Sequence, residues 1–128
     1  MNQRGFATLE VILMVVIIGI LATVAVPRFT DVTTKANTAK IQSDLTTIDT
    51  AIQIYYMEKG SYPSDVKALV TANYIMDEPK PPTGNAFVDG NSTKIDDDEY
   101  KISDNRATLK MNGGDKKAGD FSAPKKSE

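Results

Sequence analysis

The sequence predicts an α+β chain: one long N-terminal helix, half greasy and half amphipathic, followed by a small head with a short antiparallel sheet. Three observations predict it. Residues 6–26 form a run of 21 residues with a single charge, Glu10. Residues 30–58 contain no Gly or Pro and carry an apolar stripe. Near the other end, two short alternating segments flank Asp104-Asn105. With 128 residues the chain suffices for one small domain.

The apolar run comes first. As a helix it spans roughly 31 Å, about a bilayer core. A strand of that length is implausible, since strands run about 3–10 residues. The reading is therefore a membrane-spanning helix. Arg4 before it favours an N-inside orientation, though one Arg is little evidence. A secretory signal peptide is the rival, with Thr23-Val24-Ala25 as its cleavage site. The run is too long for that, and Glu10 sits where an apolar core should begin.

A carboxylate at the centre of a membrane helix costs about 2.5–3.5 kcal/mol on insertion scales, and less near the helix end. Glu10 has two readings. It sits at the interface and favours the helix N-terminus, or it awaits a cation inside an assembly.

Pro27 lacks an N–H and disturbs a helix interior. With Gly19 it makes residues 19–27 the weakest helical stretch. Beyond it, Ile41, Leu45, Ile48, Ile52 and Tyr55 recur at helical steps and form one core-facing stripe. Ala36, Ala39 and Ala51 permit close approach of a neighbouring element. Gly60 is a natural stop, followed by Ser61-Tyr62-Pro63. Residues 6–59 form one helix of about 80 Å if unbroken.

In the head, Ser64-Asp65 caps a short helix ending near Ala72. Three prolines in four residues, Pro79 to Pro82, bar regular structure and predict an extended loop. Residues 100–103 and 106–111 form a hairpin over the stalk helix, with Tyr100, Ile102, Ala107 and Leu109 facing it and Asp104-Asn105 as the turn. A third strand near Ala86–Val88 fits. From residue 113 the chain is small and charged, so a frayed tail is expected. The partition is thus 1–5, 6–27, 28–59, 60–112 and 113–128.

Composition excludes several function classes. There is no His and no Cys, which removes imidazole chemistry, thiolate nucleophiles, disulfides, and thiolate or imidazole zinc sites. The 15 basic residues against 17 acidic ones argue against a dedicated nucleic-acid ligand. Carboxylates are the remaining acid–base candidates and no second reactive type accompanies them, so no enzyme is expected. Asp96, Asp97, Asp98 and Glu99, with Asp89, form an oxygen-ligand cluster. The plainer reading is a solvated acidic loop, and no required cofactor is expected. Asn91-Ser92-Thr93 fits the N-x-S/T pattern, too short by itself to decide anything.

Gly5-Phe6-Ala7-Thr8-Leu9-Glu10 leading into the apolar run, and Gly19, Pro27 and Phe29 beyond, resemble the prepilin-type N-terminus of type IV pilins and type II secretion pseudopilins. Residues 5–29 carry the match. The order Ala7-Thr8-Leu9 departs from the usual Thr-Leu-Ile. The resemblance implies a pilin-like fold, cleavage between Gly5 and Phe6 by a prepilin peptidase, and N-methylation of Phe6. It puts Glu10 fifth in the mature chain, opposite a neighbour's Phe6 amine. It also implies that the stretch holding Gly19 and Pro27 loses helicity in a filament. Residues 55–75, with Tyr-Pro before a short helix, and the Pro-rich turn leading to Gly84-Asn85-Ala86-Phe87 extend the likeness. Family heads often bind calcium after the hairpin, here near Gly113-Gly114-Asp115 and Asp120, a second set of candidate ligands.

The expectation is the major subunit of a type IV pilus, a homopolymer with minor pilins and an inner-membrane assembly platform as partners. It starts as a single-pass inner-membrane protein with its N-terminus cytoplasmic and ends in an extracellular pilus. The alternative is the major pseudopilin of type II secretion or a competence-type relative, in a periplasmic pseudopilus. An alternative of another class is a single-pass membrane-anchored binding module.

Overall fold

A computed structural model describes residues 3–125, with no account of the side chains of 24–30. Pro27 is among those, and Met1, Asn2 and the last three residues of the expected tail lie outside the described residues. The order is a long helix α1 (Gln3–Lys59), a short helix α2 (Val66–Thr71), strands β1 (Asn85–Val88), β2 (Asn91–Lys94), β3 (Lys101–Ser103), β4 (Arg106–Met111) and β5 (Gly114–Lys116), then a 3-10 turn (Ala118–Asp120). The chain divides into two compact units, Met1–Val32 and Thr33–Glu128. The helical residues from 33 to 59 therefore belong with the head, as the core-facing stripe of that segment requires. Their burial explains this. Ile41, Leu45, Ile48 and Ile52 are fully buried, and Tyr55 packs at the edge.

Local chemistry accounts for the head's elements. Asp65 has extended backbone, and its Oδ1 accepts from the Ala68 N–H at 2.8 Å, capping α2. Val66 and Leu69 are the buried side of that helix. It ends with Asn73 at φ 62 while the Tyr74 N–H reaches back to the Leu69 carbonyl at 2.9 Å.

Two antiparallel sheets follow, β1-β2 and β3-β4-β5. Each hairpin closes on a two-residue turn with both residues at positive φ: Asp89-Gly90, Asp104-Asn105 and Asn112-Gly113. Such turns match the right-handed strand twist and select Asn, Asp and Gly. The middle hairpin is the expected one, with Tyr100, Ala107 and Leu109 buried and Ile102 half-buried.

The tail is the correction. Residues 113–121 are neither frayed nor peripheral. Asn112-Gly113 turns the chain back as β5, and the 3-10 turn then delivers Phe121 to the core with 1% exposure. Phe121 makes an antiparallel bridge with Val88. The Asp89 and Gly90 N–H groups donate to Asp120 and Ser122 carbonyls at 2.9 and 3.0 Å. One aromatic side chain with backbone partners outweighs a polar local composition.

Candidate assembly segment and head attachment

In the first unit, the helix Gln3–Thr23 has no buried residue. Phe6, Leu9 and the aliphatic residues through Leu21 are all more than half exposed. Its two threonines donate within the helix, Thr8 Oγ1 to the Arg4 carbonyl at 2.9 Å and Thr23 Oγ1 to the Ile20 carbonyl at 2.7 Å. Beyond its first turn, backbone and threonine hydroxyl donors are satisfied inside the helix, so that part can leave water without stranding them.

Glu10 stands four residues after Phe6, on the same helix face, and is exposed. Among the described residues no hydrogen bond or ion pair involves its carboxylate. Gly5 and Gly19 lie within α1, where a Cβ at either position would meet nothing within 4 Å. Among the described residues no packing explains either glycine, although each costs a helix about 1 kcal/mol relative to Ala. Among the described residues, nothing covers the helix Gln3–Thr23 and no cation pairs with Glu10.

In the second unit, polar side chains of α1 hold the head's loops and strands. Asn37 Nδ2 donates to the Thr83 and Asn85 carbonyls at 3.1 and 2.9 Å. The buried Thr38 hydroxyl accepts from the Phe87 N–H at 2.8 Å and donates to the Thr34 carbonyl at 2.7 Å. Lys40 Nζ donates to the Lys80 carbonyl at 2.8 Å and pairs with Asp44 at 2.6 Å. Gln42 Nε2 donates to the Phe121 carbonyl. Asp49 accepts from the Ala107 N–H at 2.7 Å and from the Arg106 guanidinium at 2.9 Å, which holds Arg106 above the ordinary arginine range. Tyr74 stacks edge-on against Tyr55 and its hydroxyl donates to Glu58. Sequence periodicity marked the apolar stripe and missed these residues. Their only signal is polar residues immediately flanking a buried stripe.

Three of the acidic candidates, Asp96, Asp97 and Asp120, are engaged in local structure. Asp96 Oδ2 accepts from the Asn112 N–H at 2.8 Å. Asp97 pairs with Lys101 at 2.8 Å, and that hydrogen bond lowers the Asp97 carboxyl below its usual range and raises Lys101. Asp120 Oδ2 accepts from the Lys117 N–H at 2.8 Å, inside the 3-10 turn. Asp98 and Asp115 are exposed, Asp98 in the β2–β3 loop and Asp115 in β5. Among the described residues no group of three or more acidic side chains gathers where it could hold a metal ion.

No family model and no solved structure matches the chain. Curated proteins do. The chain is 37% identical over 82 residues to type II secretion system core protein G of Pectobacterium carotovorum subsp. carotovorum, covering 62% of this chain and 53% of that protein. It is 32% identical over 103 residues to the core protein G of Escherichia coli strain K12, covering 68% of this chain and 71% of that one. It is 36% identical over 64 residues to the type IV narrow pilus major component PilA5 of Thermus thermophilus, covering 50% and 55%. The chain thus spans about half the length of the first of these relatives.

Proposed function

Since the chain belongs to the family of type IV pilins and type II secretion pseudopilins, we propose that it is a structural filament subunit, not an enzyme. The helix Gln3–Thr23 holds it in the inner membrane, N-terminus cytoplasmic. A prepilin peptidase cuts between Gly5 and Phe6, and the new Phe6 amine is methylated and stays cationic. An assembly platform then lifts the subunit into a homopolymer, begun by minor pilins. The single observation behind this reading is the helix of residues 3–23, uncovered on every side and carrying one unpaired carboxylate, Glu10.

In a filament core, water is excluded and an isolated carboxylate is costly. A neighbour's Phe6 amine supplies the counter-ion. Such a pair fixes register: a subunit seats only where amine meets carboxylate. Gly19 and Pro27 provide the stretch that loses helicity on leaving the bilayer.

The destination we propose is a type IV pilus, with this chain as its major subunit. The Thermus relative, named as a major pilus component, supports it. The second reading, a major pseudopilin of type II secretion, has its own support: the core protein G relatives align over more of the chain. Phe121 belongs to the core, so the C-terminal segment is part of the head in either destination.

Two measurements test the proposal in the native cell. Intact mass should show loss of residues 1–5 and one methyl on Phe6. A chain starting after Ala25 would support a secretory signal instead. Deletion of the gene should remove sheared surface filaments containing this subunit. Loss of secreted enzymes with surface filaments intact would select the pseudopilus.

A further inference from the structure

We propose that Asn91 is an acceptor for N-linked glycosylation, taking its sugar from a polyprenyl-pyrophosphate-linked saccharide. The proposal rests on the reading of the head as exported. Of the seven asparagines in the chain, Asn91 alone has Ser or Thr two residues on. An N-x-S/T acceptor must lie at the surface in extended, reachable chain. The structure supplies that setting.

Asn91 opens β2 directly after the Asp89-Gly90 turn. It is exposed, as are Asp89 and Ser92. Among the described residues the sheet partner of β2 is β1 alone, which makes β2 an edge strand. Residues two apart on a strand share a face, which puts Asn91 and Thr93 side by side. Ser92 turns the other way, where the Asn85 Nδ2 donates to its hydroxyl at 3.1 Å. The Thr93 hydroxyl donates to the Asn91 carbonyl at 3.2 Å. Among the described residues the Asn91 amide has one weak internal contact, Nδ2 to the Asp89 carbonyl at 3.4 Å. That side-chain contact lies outside the strand pairing, in which Asn91 stands opposite Val88.

The turn itself is held firmly. Gly90 has φ 81, and a Cβ there would stand 3.4 Å from the Pro124 Cα. Its N–H donates to the Ser122 carbonyl. The acceptor is thus presented at the tip of a fixed hairpin, beside the exposed Asp89.

The chemistry is redox-neutral. Asn91 Nδ2 forms a bond to the anomeric carbon of the saccharide. The bond from that carbon to the pyrophosphate oxygen breaks, and the lipid pyrophosphate leaves with the electron pair. One Nδ2 proton passes to a base on the transferase.

The test expresses the full chain in cells holding a membrane oligosaccharyltransferase and a defined polyprenyl-pyrophosphate-linked saccharide. Peptide mass reads the site, and protease added to spheroplasts reads head exposure. The expected result is one saccharide mass on the peptide containing Asn91, in wild type and in Thr93→Ser. Asn91→Gln and Thr93→Ala should lose it completely. A bare Asn91 on a head that external protease digests would overturn the proposal and leave the exported-subunit reading standing. A head out of protease reach would overturn both. A saccharide persisting in Asn91→Gln would overturn the assignment to this residue.

Discussion

The Tyr100 hydroxyl, on a side chain only 3% exposed, donates to Asp44 Oδ2 at 2.6 Å. That contact ties the residue before β3 to the C-terminal third of α1. The same carboxylate takes Lys40, whose Nζ also holds the Lys80 carbonyl of the Pro-rich loop. One aspartate thus joins helix, loop and sheet.

Breaking this contact from its two ends should give unequal losses. Asp44→Ala strands a buried hydroxyl and should cost about 1–3 kcal/mol. Tyr100→Phe removes the donor and leaves Asp44 with Lys40, so about 1 kcal/mol is expected. Urea melts of the two variants check the order. Equal losses would mean the hydroxyl finds another partner.

Alkaline pH should weaken the same place. Burial, then the Asp44 carboxylate, pushes the Tyr100 phenol far above its ordinary value. A group raised on folding contributes stability that is whole below its unfolded pKa, about 10, and lost as pH climbs beyond it. Tyr74, hydrogen-bonded to Glu58, is also raised. Tyrosinate absorbance should therefore show late-titrating rings, one fewer in Tyr100→Phe. That variant should also lose less stability between neutral and strongly alkaline pH.

Phe121→Ala should cost the head about 3–5 kcal/mol, as for other fully buried aromatics. Truncation after Asn112 should do more, because it also removes β5. Both are read as the unfolding midpoint of a chain lacking residues 1–27, which should itself be monomeric and cooperatively folded. A near-wild-type midpoint for Phe121→Ala would contradict the ordered tail. Aggregation of the parent fragment would contradict a self-sufficient head.

Chelation should leave that midpoint in place, since Asp96, Asp97 and Asp120 already have protein donors. A fall of about 4–8 °C, equivalent to roughly 1 kcal/mol, would show that the acidic residues bind an ion.

Glu10→Ala should abolish or sharply reduce filaments while the processed subunit stays at normal abundance. The variant strands the Phe6 amine in a dry core, on the order of 3–5 kcal/mol per contact. It also makes the membrane helix more apolar, so insertion does not suffer. Sheared filament yield and a subunit blot are measured together. Normal filaments would end the register role, and loss of the subunit would move the role to insertion or processing.

The sequence by itself determined the elements whose signals are local or periodic. A run of 21 residues with the single charge Glu10 reads as a helix long and apolar enough to cross a bilayer. Ile41, Leu45, Ile48 and Ile52 mark one buried face because they recur at the helix period. Asp65 before an apolar turn reads as a cap, and Asp104-Asn105 reads as a hairpin turn. The prepilin-type segment from Gly5 to Glu10 was legible as a contiguous pattern, which also carried the family.

Tertiary structure decided the rest. Asp89-Gly90 and Asn112-Gly113 are hairpin turns of the same chemistry, but the strands beyond them, β2 and β5, are short and polar and show no alternation. They form because β1 and β4 offer them hydrogen bonds. Phe121 is alone among polar residues in its segment, so no period announces it. Its burial depends on Val88 and Gln42, respectively 33 and 79 residues away in sequence. Thr38, Asp44 and Asp49 read as solvated helix polar groups until the head is laid against them. A hydrogen bond between distant residues needs both partners in place, and one segment read alone contains only half of it.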